Sequence, residues 1–293
     1  MLLGKIYIIY RKKDLNKRMR LSIILACVLF LSNYSAALAA TVCDPNQGGQ
    51  NYCCPAAGAS GAVTIAANAQ MIPPNAFNSC SRLVSITFAT AHTLLIIASQ
   101  AFINCTALTS IAIPNSVISL GAVVFSSCTS LTTVTIGSSL RSIPDFTFYD
   151  CTKLRSIVIP NTVTSMGTSV FGACSSLTSV TIGSDVSTLP DSTFLGCSAL
   201  TSITIPKTIT TLGPAVFALC TSLASVTNPN TVTSVGTNLF ALCTSLTSVT
   251  MPNRLASHIS TTAGSSDFDG TYFANTNFVT CAQLSSSTPV TYA

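Results

Sequence analysis

The sequence contains no tryptophan and no glutamate, only two histidines, and charged side chains at 7% of its 293 positions. Each scarcity closes off a class of function. Without glutamate, carboxylate chemistry rests on aspartate alone. Beyond residue 20 the aspartates are Asp44, Asp145, Asp150, Asp185, Asp191, Asp267 and Asp269, scattered along the chain. A general acid and a general base must both reach one substrate, and this scatter offers no such pair. His92 and His258 are the whole histidine supply, and no G-x-S-x-G, phosphate-loop or H-E-x-x-H motif accompanies them. The chain therefore reads as no enzyme, with no cofactor. Asp267 and Asp269 in "SSDFDG" fall short of the about six to eight oxygens that calcium takes, so a solvated loop is expected there. The formal charge of +5 is also confined: Lys5, Arg11, Lys12, Lys13, Lys17, Arg18 and Arg20 are seven of the 13 basic residues, leaving six, against seven of the eight acids, after residue 20. The body has no basic patch for a phosphate backbone, so no nucleic-acid partner is expected.

The basic opening leads into "LSIILACVLFLSNYSAALAA", an apolar run closing on the small-x-small site Ala37-Leu38-Ala39. Residues 1–39 read as a secretory signal peptide, with Met19 as an alternative start and an uncleaved anchor of about 20 residues as the other reading. No second long apolar run follows, so the mature chain is expected to be secreted or held at an extracellular surface, with no membrane span of its own.

What the sequence has in abundance is one line written repeatedly. Phe-x-x-Cys occurs at Phe77/Cys80, Phe102/Cys105, Phe125/Cys128, Phe148/Cys151, Phe171/Cys174, Phe194/Cys197, Phe217/Cys220 and Phe240/Cys243, in steps of 23 residues after a first step of 25. Each Cys is followed by Leu and an apolar alternation such as "LTTVTI" from Leu131, then a proline or glycine, a second short apolar segment, and Phe again. Such a row is too small to bury its own apolar side, so rows must stack and share a core. Period-2 alternation sends Val134 and Ile136 inward and Thr133 and Thr135 outward. Pro114, Pro160, Pro206, Pro229 and Pro252 end the first strand of their rows, whereas Gly137 and Gly183 take that place in alternate rows. A two-row unit of 46 residues has been duplicated.

"LTSITIPKTITTLGPAVFALC" resembles the BspA-type leucine-rich repeat, of the form L-x-x-I-x-I-P-x-x-V-x-x-I-G-x-x-x-F-x-x-C, and the resemblance covers residues 60–257. It implies a repeat solenoid: a leucine-rich-repeat horseshoe with a parallel β-ladder, about eight 23-residue coils, and short helical turns at F-x-x-C. It also implies an exported molecule engaged in adhesion or protein binding. The expected organisation is a signal at 1–39, an N-terminal cap at 40–59, the solenoid at 60–257 and a C-terminal cap at 258–293.

The cysteines divide into two groups. Cys80, Cys105, Cys128, Cys151, Cys174, Cys197, Cys220 and Cys243 form one column, expected to be buried free thiols beside the phenyl rings, because stacked neighbours present sulfurs in parallel and hold no common metal point. Cys43, Cys53, Cys54 and Cys281 lie in the caps and are the disulfide candidates, with the pairing open; Cys27 leaves with the signal. Asn104-Cys105-Thr106 is the one N-x-[ST] sequon of the mature chain, and its middle residue belongs to the core column.

If the inward side is core, function sits outside. The outward strand positions Ser110, Thr133, Thr135, Ser156, Ser179, Thr181, Ser202, Thr204, Ser225, Thr227, Ser248 and Thr250 make two files of hydroxyls, expected to bind an extracellular protein or glycan. Ala112 and Val158 interrupt one file. Tyr149, Lys153 and Arg155 are the nearest approach to an anchor cluster, with Arg155 at a strand edge. The alternative is adsorption to ice or mineral by a flat Ser-x-Thr array.

Overall fold

The computed structural model describes residues 40–43, 54–55, 60–89, 93–227, 231–251 and 290–292. The chain divides into two units, Met1–Ala40 and Thr41–Ala293, and the fold described here is that of the second. Among the described residues there are nineteen strands and no helix.

The apolar alternation after each Leu forms long strands: β2 (Ala62–Ile65), β4 (Ser85–Phe88), β6 (Ser110–Ala112), β8 (Thr133–Thr135), β10 (Ser156–Val158), β12 (Ser179–Thr181), β14 (Ser202–Thr204), β16 (Ser225–Thr227) and β18 (Ser248–Met251). The second apolar segment of each row forms a two-residue strand: β3 (Met71–Ile72), β5 (Ile96–Ile97), β7 (Ser119–Leu120), β9 (Ser142–Ile143), β11 (Ser165–Met166), β13 (Thr188–Leu189), β15 (Thr211–Leu212) and β17 (Ser234–Val235). Long strands pair in parallel with long, short with short. The register is one repeat, as in Ser156↔Ser179, Ile157↔Val180 and Val158↔Thr181, or Thr188↔Thr211 and Leu189↔Leu212. This is the parallel solenoid that stacking of the rows demands.

The proline and glycine rows are packing partners. A proline row carries its pairing one residue past the strand, through the N–H of Ile113 to the Thr135 carbonyl (2.8 Å) and of Ile159 to the Thr181 carbonyl (2.9 Å). A Cβ at Gly137 would collide with the Pro114 carbonyl, and one at Gly183 with that of Pro160, so only glycine lets the next row sit this close. The ladder is interrupted after each such pair: β1 (Ala40–Cys43), β2, β4, β6 and β8 form one sheet, β10 and β12 a second, and β14, β16, β18 and β19 (Val290–Tyr292) a third. Val134 and Val180 of the glycine rows are half-buried, where Ile111, Ile157 and Ile203 of the proline rows are buried. The 46-residue duplication is thus visible as a two-coil unit.

The F-x-x-C segments correct one expectation, since they are turns and not short helices. Two residues in every row, at positions two before and two after Phe, take left-handed φ: Gln100 (60°) and Asn104 (58°) around Phe102, Val123 (63°) and Ser127 (56°) around Phe125. A helix cannot contain such residues. They turn alternate peptide N–H groups toward the adjacent coil. Gln100, Phe102 and Asn104 donate to the carbonyls of Ala122, Val124 and Ser126 at 2.8–3.0 Å, and the pattern recurs along the stack. Stacking outcompetes the helix because it satisfies these donors with the next row.

Inside, the phenyl rings of Phe77 to Phe240 form a continuous stack with centroids 4.8–5.8 Å apart and planes within 15°. The thiols lie beside it, each S–H donating to the Phe carbonyl of the preceding coil: Cys128 to Phe102, Cys174 to Phe148 and Cys220 to Phe194, all at 3.2 Å. Cys105 to Cys243 are free and buried. Cys80 departs from the column as read from sequence, because it is bonded to Cys54 with Cα atoms 5.6 Å apart. It heads the stack, has no preceding Phe carbonyl in the series, and faces the entering chain. Cys53 and Cys281 lie outside the described residues, as do Asp267, Asp269, His92 and His258, and so does the side chain of Cys43. At the far end β19 pairs antiparallel with β18, Val249 opposite Tyr292, covering a ladder edge that would otherwise template association.

Candidate functional site

The outward face of the long strands is built by alternation. In β10 and β14 the central isoleucine, Ile157 or Ile203, is buried while its neighbours on both sides are exposed. Ser110, Thr133, Thr135, Ser156, Ser179, Thr181, Ser202, Thr204 and Thr227 are accordingly exposed, and Ser225 half-buried. Ser248 and Thr250 continue the register opposite Ser225 and Thr227, their side chains lying outside the described residues. The files are interrupted at Ala112 and at Val158, which is 61% exposed.

Hydroxyls on this molecule fall into two populations. Those just before the strands are committed internally: Thr132 donates to the Thr109 carbonyl at 3.0 Å, Thr178 to that of Arg155 at 3.1 Å and Thr247 to that of Ala224 at 3.1 Å. Thr164, Thr210 and Thr233 do the same before the short strands. In contrast, among the described residues the side chains of Ser110, Thr133, Thr135, Ser156, Ser179, Thr181, Ser202 and Thr204 make no intramolecular hydrogen bond. Among the described residues the two outward files are engaged at their start, where the Thr64 and Thr87 hydroxyls meet at 2.9 Å. Each idle hydroxyl retains one donor and two acceptor positions. A face stepped by about 4.8 Å per coil therefore presents unsatisfied hydrogen-bonding groups over consecutive coils.

The thiol column offers no chemistry to this face. Burial pushes the Cys128, Cys151 and Cys197 thiols well above their ordinary value, and those of Cys174 and Cys243 up to about 12. The thiolate is the reactive form, so these sulfurs act as packing atoms and weak donors. Among the described residues no three His, Cys, Asp or Glu side chains are grouped to hold a metal ion, and no helix is long and apolar enough to cross a membrane.

One coil differs from the rest. Of the nine charged residues between 60 and 251, five lie between 141 and 155: Arg141, Asp145, Asp150, Lys153 and Arg155. The same stretch holds Tyr149, packed edge-on against the exposed Phe146 at 5.6 Å. Phe146 takes a left-handed φ of 52°, a conformation that a bulky side chain rarely adopts. Sequence reasoning singled out Tyr149, Lys153 and Arg155 but passed over Phe146. The equivalent positions two before Phe carry Asn75, Gln100, Val123, Ser169, Ser192, Ala215 and Asn238, so Phe146 is the one aromatic residue in this column, while residue type did not foretell the left-handed backbone there.

A family model described as BspA type leucine rich repeat region matches residues 70–201 and 187–277, in six copies. Among solved structures, a T. pallidum leucine rich repeat protein is similar at 25% identity and a TM-score of 0.51, over 63% of this chain and 77% of its own. The pneumococcal vaccine antigen PcpA is similar in fold at 21% identity and a TM-score of 0.54, over 73% of this chain, which spans 55% of the antigen's length. No curated protein matches the chain.

Proposed function

On the premise that the chain belongs to the BspA-type leucine-rich repeat family, we propose that it is an exported binding or adhesion module that takes an extracellular protein or glycan on its long-strand face. The observation that carries this reading is the split between hydroxyls. Those flanking the strands close internal bonds, whereas Thr133, Thr135, Ser156, Ser179, Thr181, Ser202 and Thr204 stay exposed and unengaged. A surface that needed only to be soluble has no requirement to keep one file idle and the next one bonded. The binding energy would come from many weak, regularly spaced contacts along stacked coils. In this reading residues 1–39 direct export, 40–59 and 258–293 cap the solenoid at 60–257, and the protein is not an enzyme.

The test is saturable binding of the chain from residue 40 onward to cell surfaces, matrix proteins and glycans, beside a variant carrying Thr135→Glu, Thr181→Glu and Thr204→Glu. Circular dichroism checks that both are folded. Binding that is lost in the folded variant is the expected result. Equal binding by both proteins would overturn the ladder face as the site.

A further inference from the structure

Resting on that reading, we infer that the long-strand face recognises an acidic glycan, a sugar chain bearing carboxylate or sulfate groups, through Lys153 and Arg155. These two residues flank the buried Leu154 and are themselves exposed, Lys153 in the turn and Arg155 immediately before β10, so both side chains project into solvent at the entry to the strand. They sit at the corner leading into β10, and no other coil places two cations there. The matching positions are Ser130 and Thr132 in the coil before, Ser176 and Thr178 in the coil after.

Neither cation is neutralised from within. Among the described residues Lys153 and Arg155 form no ion pair, with Asp145, Asp150 or any other acid. Asp145 accepts the Thr168 N–H at 2.7 Å. A guanidinium and an ammonium that form no ion pair are the complement of an oxyanion, the guanidinium able to grip it with two parallel bonds.

The surroundings select a sugar over a protein side chain. Ser156 at the start of β10, and Thr133 and Ser179 one coil to either side, are exposed hydroxyls without internal partners. They can both donate to and accept from the ring hydroxyls of a polysaccharide. Among the described residues the long strands β2 to β16 carry no tryptophan or tyrosine of the kind that anchors a protein partner. An oxyanion held at Lys153 and Arg155, with neighbouring sugar hydroxyls on the flanking coils, satisfies every group on this part of the face.

The test immobilises heparin, polygalacturonate, dextran sulfate, unmodified dextran and poly-glutamate and measures affinity for the chain from residue 40 onward at low and high salt. Retention by the acidic glycans, weakened by salt, is expected; polygalacturonate or dextran sulfate retaining the protein alone would assign carboxylate or sulfate as the group read. Lys153→Ser with Arg155→Thr installs the residues of the adjacent coils, so the fold is kept, and should lower affinity about tenfold or more. Adding Ser176→Lys and Thr178→Arg to that variant should restore it one coil along, whereas Arg82→Ser with Lys207→Asn should change it less than about twofold. An undiminished double variant, equal retention by unmodified dextran, or equal affinity for poly-glutamate would each overturn the assignment. Binding in the broader panel that is lost in the three-glutamate variant, without retention by any acidic glycan, would sink this inference and leave the ladder site standing.

Discussion

The turn seam and the long-strand face are written by the same repeat and carry polar groups in every coil, yet they use them in opposite ways. In the seam, three backbone N–H groups per coil donate to the next coil, each column thiol donates to a Phe carbonyl, and Thr147 and Thr193 bury hydroxyls against the Pro144 and Pro190 carbonyls at 2.6 Å. On the face, the outward hydroxyls are left open. Stability is concentrated where polar groups are matched and covered; the opposite wall is free to meet something else. That division lets a coil change its outward residues, as the coil around Lys153 and Arg155 has done, without disturbing the stack.

The sharpest way to break the comparison is at the phenyl column. Phe171→Ala removes a fully buried ring between Phe148 and Phe194 and should cost about 3–5 kcal/mol in denaturant unfolding. High pH attacks the same seam more gradually. Burial raises the folded Cys174 and Cys243 thiols from 9.0 to about 12, so folding favours their protonated forms. Their contribution is complete below pH 9 and is lost as pH rises from there toward 12. Under reducing conditions the unfolding midpoint should fall across that window, and Cys174→Ala should fall less steeply. At neutral pH a thiol reagent should leave the native column unmodified.

Gly183→Ala forces a Cβ into the Pro160 carbonyl and should cost about 1–3 kcal/mol, measured by the same unfolding curves. Val123→Asn should act in the opposite direction, stabilising by about 1 kcal/mol, because Val123 holds a left-handed φ that asparagine tolerates. The finest comparison is between two threonines three residues apart. Thr178→Ala removes a bond to the Arg155 carbonyl and should cost about 0.5–1 kcal/mol, whereas Thr181→Ala should stay within about 0.5 kcal/mol. Equal losses at the two positions would erase the distinction between committed and idle hydroxyls.

Much of this arrangement was legible because a repeat writes its own alignment. The spacing of Phe and Cys set the register, and the alternation in "LTTVTI" separated core from face. Less legible were features that arise between coils. The left-handed residues around each Phe include valine, leucine and phenylalanine as well as asparagine and glycine, so residue type did not announce them. Their φ values follow from N–H groups reaching a neighbour that exists only after stacking. The Cys54–Cys80 bond likewise depends on which strand end the incoming chain meets, a matter on which spacing is silent. The distinction among hydroxyls was invisible for the same reason, since Thr178 and Thr181 are the same residue in similar local sequence.

The sequence by itself determined the period, the identity of the buried column, the alternation of proline and glycine rows and the placing of half of the solenoid's charged residues in one short stretch. These are properties of a single row, set by side-chain volume, pattern and the special backbones of proline and glycine. Only the tertiary structure decided that the F-x-x-C segments are hydrogen-bonded turns, that proline and glycine rows interlock in pairs and that the outward hydroxyls of the long strands from Ser110 to Thr204 remain free. Each of those depends on the distance and direction of groups one repeat away, and a row acquires such neighbours only when it stacks.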